Sequence, residues 1–255
     1  MKAVILAAGY ATRLRPLSDS VPKQLLPVGG RPILDWILEN VEAVEEIDEV
    51  HLVTNSRFAA QFEHWGRERG VQVHDDGTKT NEDRLGAVGD LQLALERGGI
   101  DDDVLVIAGD NLFDFRLSDY VAFWRGKGLA SAVAVYDCGD LELATHYGIV
   151  ELADDDRLLY FVEKPDDPPS TLAATATYLY AREHVPFVAR YLAEGHAPDQ
   201  AGSLVAWLYR REPVYGYRFP GSWYDIGNLG QLLEADNRMR RRHGLPERTA
   251  YSLDP

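Results

Sequence analysis

Short apolar runs recur along this chain, and stretches of helical periodicity separate each from the next. Residues 2–7 (KAVILA), 50–54 and 104–108 are almost continuously apolar, as strands buried on both faces of a sheet must be. Between the first two, Pro32 can open a helix at its first turn, and Ile33, Ile37, Val41 and Val44 follow at helical spacing. Helical patterns near 57–69, 85–96 and 117–125 and strand patterns at 71–74 and 131–136 continue the alternation. A strand followed by a helix re-enters its sheet in the same direction. The rhythm therefore predicts an α/β fold, a mostly parallel sheet with helices on both faces.

The pattern changes after residue 147. GIVEL (148–152), RLLYFVEKP (157–165) and TLAATATYLYA (171–181) alternate like half-exposed strands joined by turns, which predicts a small antiparallel addition to the sheet. Helices near 185–194 and 202–210, a strand at 214–218 and a last helix at 229–242 follow, and a polar tail begins at 244. No repeat or low-complexity linker interrupts residues 1–255, so one domain is expected.

Charge narrows the partners. The net charge of -15 comes from 24 Asp and 17 Glu, and only 5 of the 26 basic residues are lysine. So negative a field repels nucleic acid, and no run approaches the roughly 18 apolar residues of a membrane span. The single cysteine, Cys138, excludes an internal disulfide framework, and the seven histidines show no HxH or HExxH spacing for zinc. The opening MKAVILAAGY is too brief for a secretory signal, so a cytoplasmic protein is expected. An Asp-rich, Lys-poor surface also suits a salty cytoplasm.

Against that background, residues 6–28 (LAAGYATRLRPLSDSVPKQLLPV) stand out. Arg13, Arg15 and Lys23 crowd beside Gly9 with Asp19 as the one carboxylate, and Pro16 and Pro22 disfavour a regular helix. Such a loop suits a bound anion, although it has neither the GxxxxGK[ST] of a P-loop nor the glycines of a dinucleotide fingerprint. Two further loops, GDNLFDF after Ile107 and EKP after Phe161, follow predicted strands at the same edge, where open α/β sheets bind ligands. In GDNLFDF, Asp110 ends an apolar strand, and in GSWYDIGN, Asp225 precedes a glycine turn. Each suits a Mg²⁺ ligand beside phosphates and equally suits a turn or cap. In VEKP, Glu163 and Lys164 stand at a strand end, either on a ligand or as a solvated pair. In HYGIV, Gly148 after Tyr147 would let a sugar ring approach the backbone.

Taken in order, LAAGYATRLRPLSDSVPKQLLPVGGRPIL, GDNLF, YGIV, FVEKP and WYDIGN resemble the sugar-1-phosphate nucleotidylyltransferases, over about residues 1–240. The resemblance implies a Rossmann-like, GT-A-like fold. Residues 1–130 would be mainly the nucleotide half, 131–243 mainly the sugar-phosphate half and 244–255 a tail. It implies transfer of a nucleotidyl group from a nucleoside triphosphate (NTP) to a sugar-1-phosphate, with Mg²⁺ as cofactor and release of pyrophosphate. The alternative is a non-catalytic regulatory member that binds the same ligands. A homo-oligomer is compatible with either.

The family's roles then fall on particular residues. Leu6, Ala8, Gly9, Thr12 and Arg13 would surround the nucleotide and its phosphates, with Lys23 on the α-phosphate side. Asn81 and Gly86 would lie by the base, and Asp110 and Asp225 would hold Mg²⁺. Arg13, Lys23, Asp110 and Asp225 would be the catalytic set. Tyr147, Gly148, Glu163, Lys164 and Tyr178 would form the sugar-phosphate pocket. Two departures carry expectations. Ala11 replaces the second glycine of the usual GxGTR, predicting a stiffer loop, and Ala176 stands where glycine is common, predicting an altered sugar fit.

Overall fold

In the computed structural model, which describes residues 1–128 and 130–253, strand β1 (Lys2–Leu6) leads into three short 3₁₀ turns across the cationic loop. A tight hairpin of β2 (Pro27–Val28) and β3 (Arg31–Pro32) precedes α1 (Ile33–Glu42). Then β4 (Glu49–Thr54), α2 (Ala59–Arg67), β5 (Gln72–Asp75) and α3 (Ala87–Gly98) lead to β6 (Val104–Ala108). Beyond it come β7 (Asn111–Phe113), α4 (Leu117–Arg125), β8 (Ser131–Asp137) and the single-turn α5 (Leu141–Ala144). The second half runs through β9 (Gly148–Leu152), β10 (Leu158–Glu163), β11 (Leu172–Tyr180), α6 (Pro186–Ala193) and α7 (Ala201–Leu208). Strands β12 (Val214–Arg218) and β13 (Trp223–Asp225) and helix α8 (Leu229–Arg242) close the fold.

The main sheet has the order β10-β9-β11-β6-β1-β4-β5, with β8 and β12 added beyond β11. Ile5 pairs in parallel with Leu52 on one side and Ile107 on the other. Strand β11 enters antiparallel and joins the two halves. Along one edge its first part pairs with β9 (Ala173↔Ile149) and its second with β6 (Thr177↔Ile107). The changeover falls at Ala176, whose φ of 52° breaks the register, so the sheet parts between the end of β6 and the start of β9. Those two strand ends border the cavity described below.

Alternation along β1 divides the core. Ala3 and Ile5 pack under α1, α2, α4 and α8, while Val4 faces the other layer, built from α3, α6 and α7. No helix among the described residues is long and apolar enough to cross a membrane. The tail is held more firmly than its polar composition suggests. Asn237 exchanges hydrogen bonds of 2.8 and 2.7 Å with the Arg248 backbone, and Tyr251 Oη donates to Pro27 O at 2.8 Å. Residues 254 and 255, the end of the expected tail, lie outside the described residues.

Helix α3 starts at Ala87 rather than 85 for a specific reason. Gly86 has φ 80° and ψ 162°, a region open almost only to glycine. A Cβ there would also stand 2.7 Å from the carbonyl of Pro198. That carbonyl accepts the Val88 N–H at 2.8 Å, so the start of α3 is clamped to the loop before α7. Gly86→Ala should therefore lose more than about 1 kcal/mol of stability from the backbone conformation alone, before any overlap. Urea unfolding measures this, and an unchanged midpoint would mean that the clamp is absent.

Candidate active site

Three segments meet at the parted edge of the sheet through one side chain. Lys23 Nζ donates to Ile226 O at 2.9 Å and forms a short ion pair with Asp110 Oδ2. Asp110 follows β6, and Asn111 Nδ2 donates to its other oxygen at 2.8 Å. Strands β7 and β13 form an antiparallel ribbon in which Asn111 faces Asp225, which brings the second carboxylate alongside the first. The Trp223 indole N–H locks that ribbon by donating to Asn111 Oδ1 at 2.5 Å.

The charges here are strongly unequal. Burial acts to raise the Asp110 carboxyl, but the Lys23 ammonium and the Asn111 amide outweigh it and hold it below the ordinary value. Among the described residues Asp225 has no such bond. Burial first, and the Asp110 charge second, push it up to about 6, against the pull of Lys23, Arg13 and Lys164. A divalent cation relieves that kind of crowding. Among the described residues no group of three or more His, Cys, Asp or Glu gathers as a metal site. Two carboxylates alone suit Mg²⁺, which completes its shell with phosphate oxygens and water.

The cavity around this pair has a volume of about 440 Å³. The nucleotide-side candidates Leu6, Ala8, Gly9, Lys23, Asn81, Gly86 and Asp110 line it, and so do Tyr147, Gly148, Glu163, Lys164, Tyr178 and Asp225. Thr12 and Arg13 do not. Thr12 opens an exposed 3₁₀ turn, and Arg13 is exposed with its guanidinium beside Gly227, from where its charge reaches Asp225. A larger cavity of about 750 Å³ lies between α1, α8 and the β7–β13 ribbon and contains none of these residues.

The glycines differ in what they are for. A Cβ at Gly9 would meet nothing within 4 Å, so only space in the cavity argues for glycine there. Gly148 is small because the Phe161 ring lies 3.0 Å from where its Cβ would be, and Gly86 because of Pro198. Close approach at these two is to the protein itself, not only to a ligand.

Backbone strain gathers at the same place. Among the described residues four non-glycine residues have positive φ, and three of them, Ala11 (46°), Lys164 (47°) and Ala176 (52°), line the cavity. Each costs about 1–2 kcal/mol. At Ala11, where a stiffer loop is expected, the residue adopts a left-handed conformation ahead of the Thr12 turn. At Lys164 the turn has a clear use. Neighbours on a strand point to opposite faces, but here Lys164 twists out of β10, donates its N–H to Tyr147 O at 3.0 Å and shares the cavity with Glu163. Glu163 itself packs against the first turn of α7 so closely that only glycine fits at 202. Burial raises its carboxyl, with Lys164 opposing.

Sequence reasoning missed several lining residues. Trp223 was visible within the WYDIGN motif, and Gln24 beside Lys23, but nothing marked Arg84 and Asp199, which form an ion pair of 3.0 Å. Asp90 gave no signal either. It lies on α3 among buried apolar residues and is 6% exposed. Burial, and then the charge of Asp76, push its carboxyl up to about 8.

Comparison with known proteins bears on the whole chain. The family model described as nucleotidyl transferase matches residues 2–242. A UTP–glucose-1-phosphate uridylyltransferase of Synechocystis is 32% identical over 248 residues, covering 92% of this chain and 62% of its own. The bifunctional protein GlmU of Methanocaldococcus jannaschii is 27% identical over 236 residues, covering 92% of this chain and 53% of its own. The chain thus spans between half and two thirds of these relatives. A crystal structure of a Bacillus anthracis protein, provisionally described as a glucose-1-phosphate thymidylyltransferase in complex with sucrose, superposes with a TM-score of 0.77. It covers 94% of this chain and 95% of its own at 24% identity, a likeness of fold.

The raised Asp90 carboxyl makes a stability prediction with a definite sign. The folded state holds its proton to a higher pH than the unfolded chain, so stability falls as pH rises from about 4 to about 8. Asp90→Asn removes the titration. At pH 8 the variant should be more stable than wild type by roughly 2–4 kcal/mol and so unfold at a higher temperature, and the gap should close towards pH 4. Scanning calorimetry across that range measures it, and a gap independent of pH would contradict the burial.

Proposed function

The chain belongs to the nucleotidyl transferase family, and from that premise we propose that it moves a nucleotidyl group from an NTP to a sugar-1-phosphate. A phosphate oxygen of the sugar-1-phosphate forms a bond to the α-phosphorus as the bond to the β-phosphate oxygen breaks. Pyrophosphate leaves with that electron pair, and the other product is a nucleoside diphosphate sugar. The nucleophile is already anionic, so no side chain need remove a proton. One observation carries the reading: two neighbouring carboxylates, one of them ion-paired with Lys23, open onto a cavity that also holds Glu163 and Lys164.

Asp110 and Asp225 would hold Mg²⁺, which when bound offsets phosphate charge and polarises the α-phosphate. Lys23, within reach of both carboxylates, would face the α-phosphate, and Arg13 at the rim beside Asp225 would meet the leaving pyrophosphate. Leu6, Ala8 and Gly9 at the end of β1 would flank the nucleoside, with Asn81 and Gly86 opposite. Glu163 would accept sugar hydroxyls, and Lys164 would neutralise the sugar phosphate. Tyr147, Gly148 and Tyr178 would bound that pocket.

A matrix of five nucleotides against several sugar-1-phosphates, scored by Mg²⁺-dependent pyrophosphate release, tests the activity. Binding without release throughout would leave a regulatory protein instead. Asp110→Asn and Asp225→Asn should each lower kcat by about a hundredfold or more with the fold intact. Lys164→Ala should weaken sugar-1-phosphate by about ten- to a hundredfold and spare the NTP. Lys23→Ala should depress kcat and also stability, because it strips the half-buried Asp110 of its counter-charge. Calorimetry with each ligand decides. Lost NTP affinity with retained sugar-phosphate affinity in Lys164→Ala would show the pocket assigned backwards.

A further inference from the structure

We propose that Asp90 reads the nucleobase, its carboxyl acting as a paired hydrogen-bond donor and acceptor against the base's polar edge, and so sets which NTP the site prefers. The inference rests on the nucleotidyl reading above and goes beyond it by naming a specificity residue.

The first ground is geometric. Asp90 sits in the first turn of α3, its backbone N–H donating to Gly86 O at 2.8 Å, and its side chain lines the same cavity as Gly9, Asn81 and Gly86. It is 94% buried, yet among the described residues its carboxyl makes no hydrogen bond or ion pair, and Oδ1 has neither partner nor solvent. Its neighbour Asp76 offers nothing, being turned to the N–H and hydroxyl of Thr78 at 2.7 and 3.0 Å. A buried acid left unsatisfied is destabilising, and packing alone would favour an apolar residue beside Val88 and Leu91.

The second ground is electrostatic. Asp225 feels Lys23, Arg13 and Lys164, and Glu163 feels Lys164, whereas among the described residues the charge felt at Asp90 is that of Asp76. Asp90 therefore stands apart from the phosphate-binding cations. Its ligand partner must be an uncharged part of the nucleotide that carries hydrogen-bonding groups. Burial and Asp76 keep the carboxyl protonated at neutral pH, so it presents one O–H donor beside one carbonyl acceptor. That pattern matches the edge where a base's ring nitrogen adjoins a carbonyl or amine. An asparagine amide has the same pattern, whereas leucine has none.

The test is calorimetric binding of ATP, GTP, CTP, UTP and dTTP, with dUTP against UTP as a ribose control and glucose-1-phosphate as a remote control. Wild type, Asp90→Asn and Asp90→Leu are compared. Asp90→Leu should weaken the preferred nucleotide by about tenfold or more and flatten the ranking among bases. Asp90→Asn should restore the ranking, and glucose-1-phosphate affinity should hold throughout. A ranking unchanged in Asp90→Leu would overturn the inference, as would an effect that follows UTP against dUTP, or an asparagine variant that behaves like leucine. Wild type that binds no NTP would defeat the nucleotidyl reading and this inference with it. Wild-type binding with an unmoved ranking would defeat this inference alone.

Discussion

The carboxylate pair at this site depends on one ammonium group. Lys23 reaches from the cationic loop to Asp110 at the end of β6 and to the Ile226 carbonyl beyond β13, residues 87 and 203 positions away. Without that charge, burial would drive the Asp110 carboxyl towards its neutral form, and the ribbon that presents Asp225 would lose its tie to the loop. The same cation explains why the two aspartates differ. One is compensated and ionised well below its neighbour, and the other is held up by burial and by the first. One carboxylate is thus satisfied and the other frustrated, the asymmetry on which the proposed Mg²⁺ site rests.

The cost of building the cavity is spread through the backbone. Ala11, Lys164 and Ala176 occupy left-handed conformations that glycine would adopt freely, and all three border the same space. Each has a visible consequence. Ala11 sets the loop over the end of β1, Lys164 rotates its side chain onto the face of Glu163, and Ala176 lets β11 change partners so that the sheet opens. Asp90 adds a polar cost of the same kind. Strain and unsatisfied groups concentrated in one cavity mark it as functional more firmly than its size, since the larger cavity beside α8 holds none of these four residues.

Much of this was legible in the sequence. The nearly continuous apolar runs of β1, β4 and β6 gave buried parallel strands, and the alternation in β9 to β11 gave the antiparallel addition, because side-chain periodicity follows directly from burial. The loops carrying Lys23, Asp110, Glu163 and Asp225 were marked by their position after strands. What remained hidden depends on long-range contact. The hairpin of β2 and β3 and the β7–β13 ribbon are too short to show a period. The true start of α3 depends on Pro198, more than a hundred residues away. Asp90 occupies a helical position whose exposure to a cavity no local pattern encodes, and Thr12 and Arg13 are exposed on a 3₁₀ turn that follows the left-handed Ala11.

The most direct test of the central claim is whether the carboxylate pair holds a divalent cation together with a nucleotide. Mn²⁺ can be followed by electron paramagnetic resonance as it is added with a non-hydrolysable NTP analogue to wild type and to Asp225→Asn. Bound Mn²⁺ is expected in wild type, dependent on the analogue, and is expected to be lost in the variant. Equal Mn²⁺ binding by both proteins, or none by either, would contradict it.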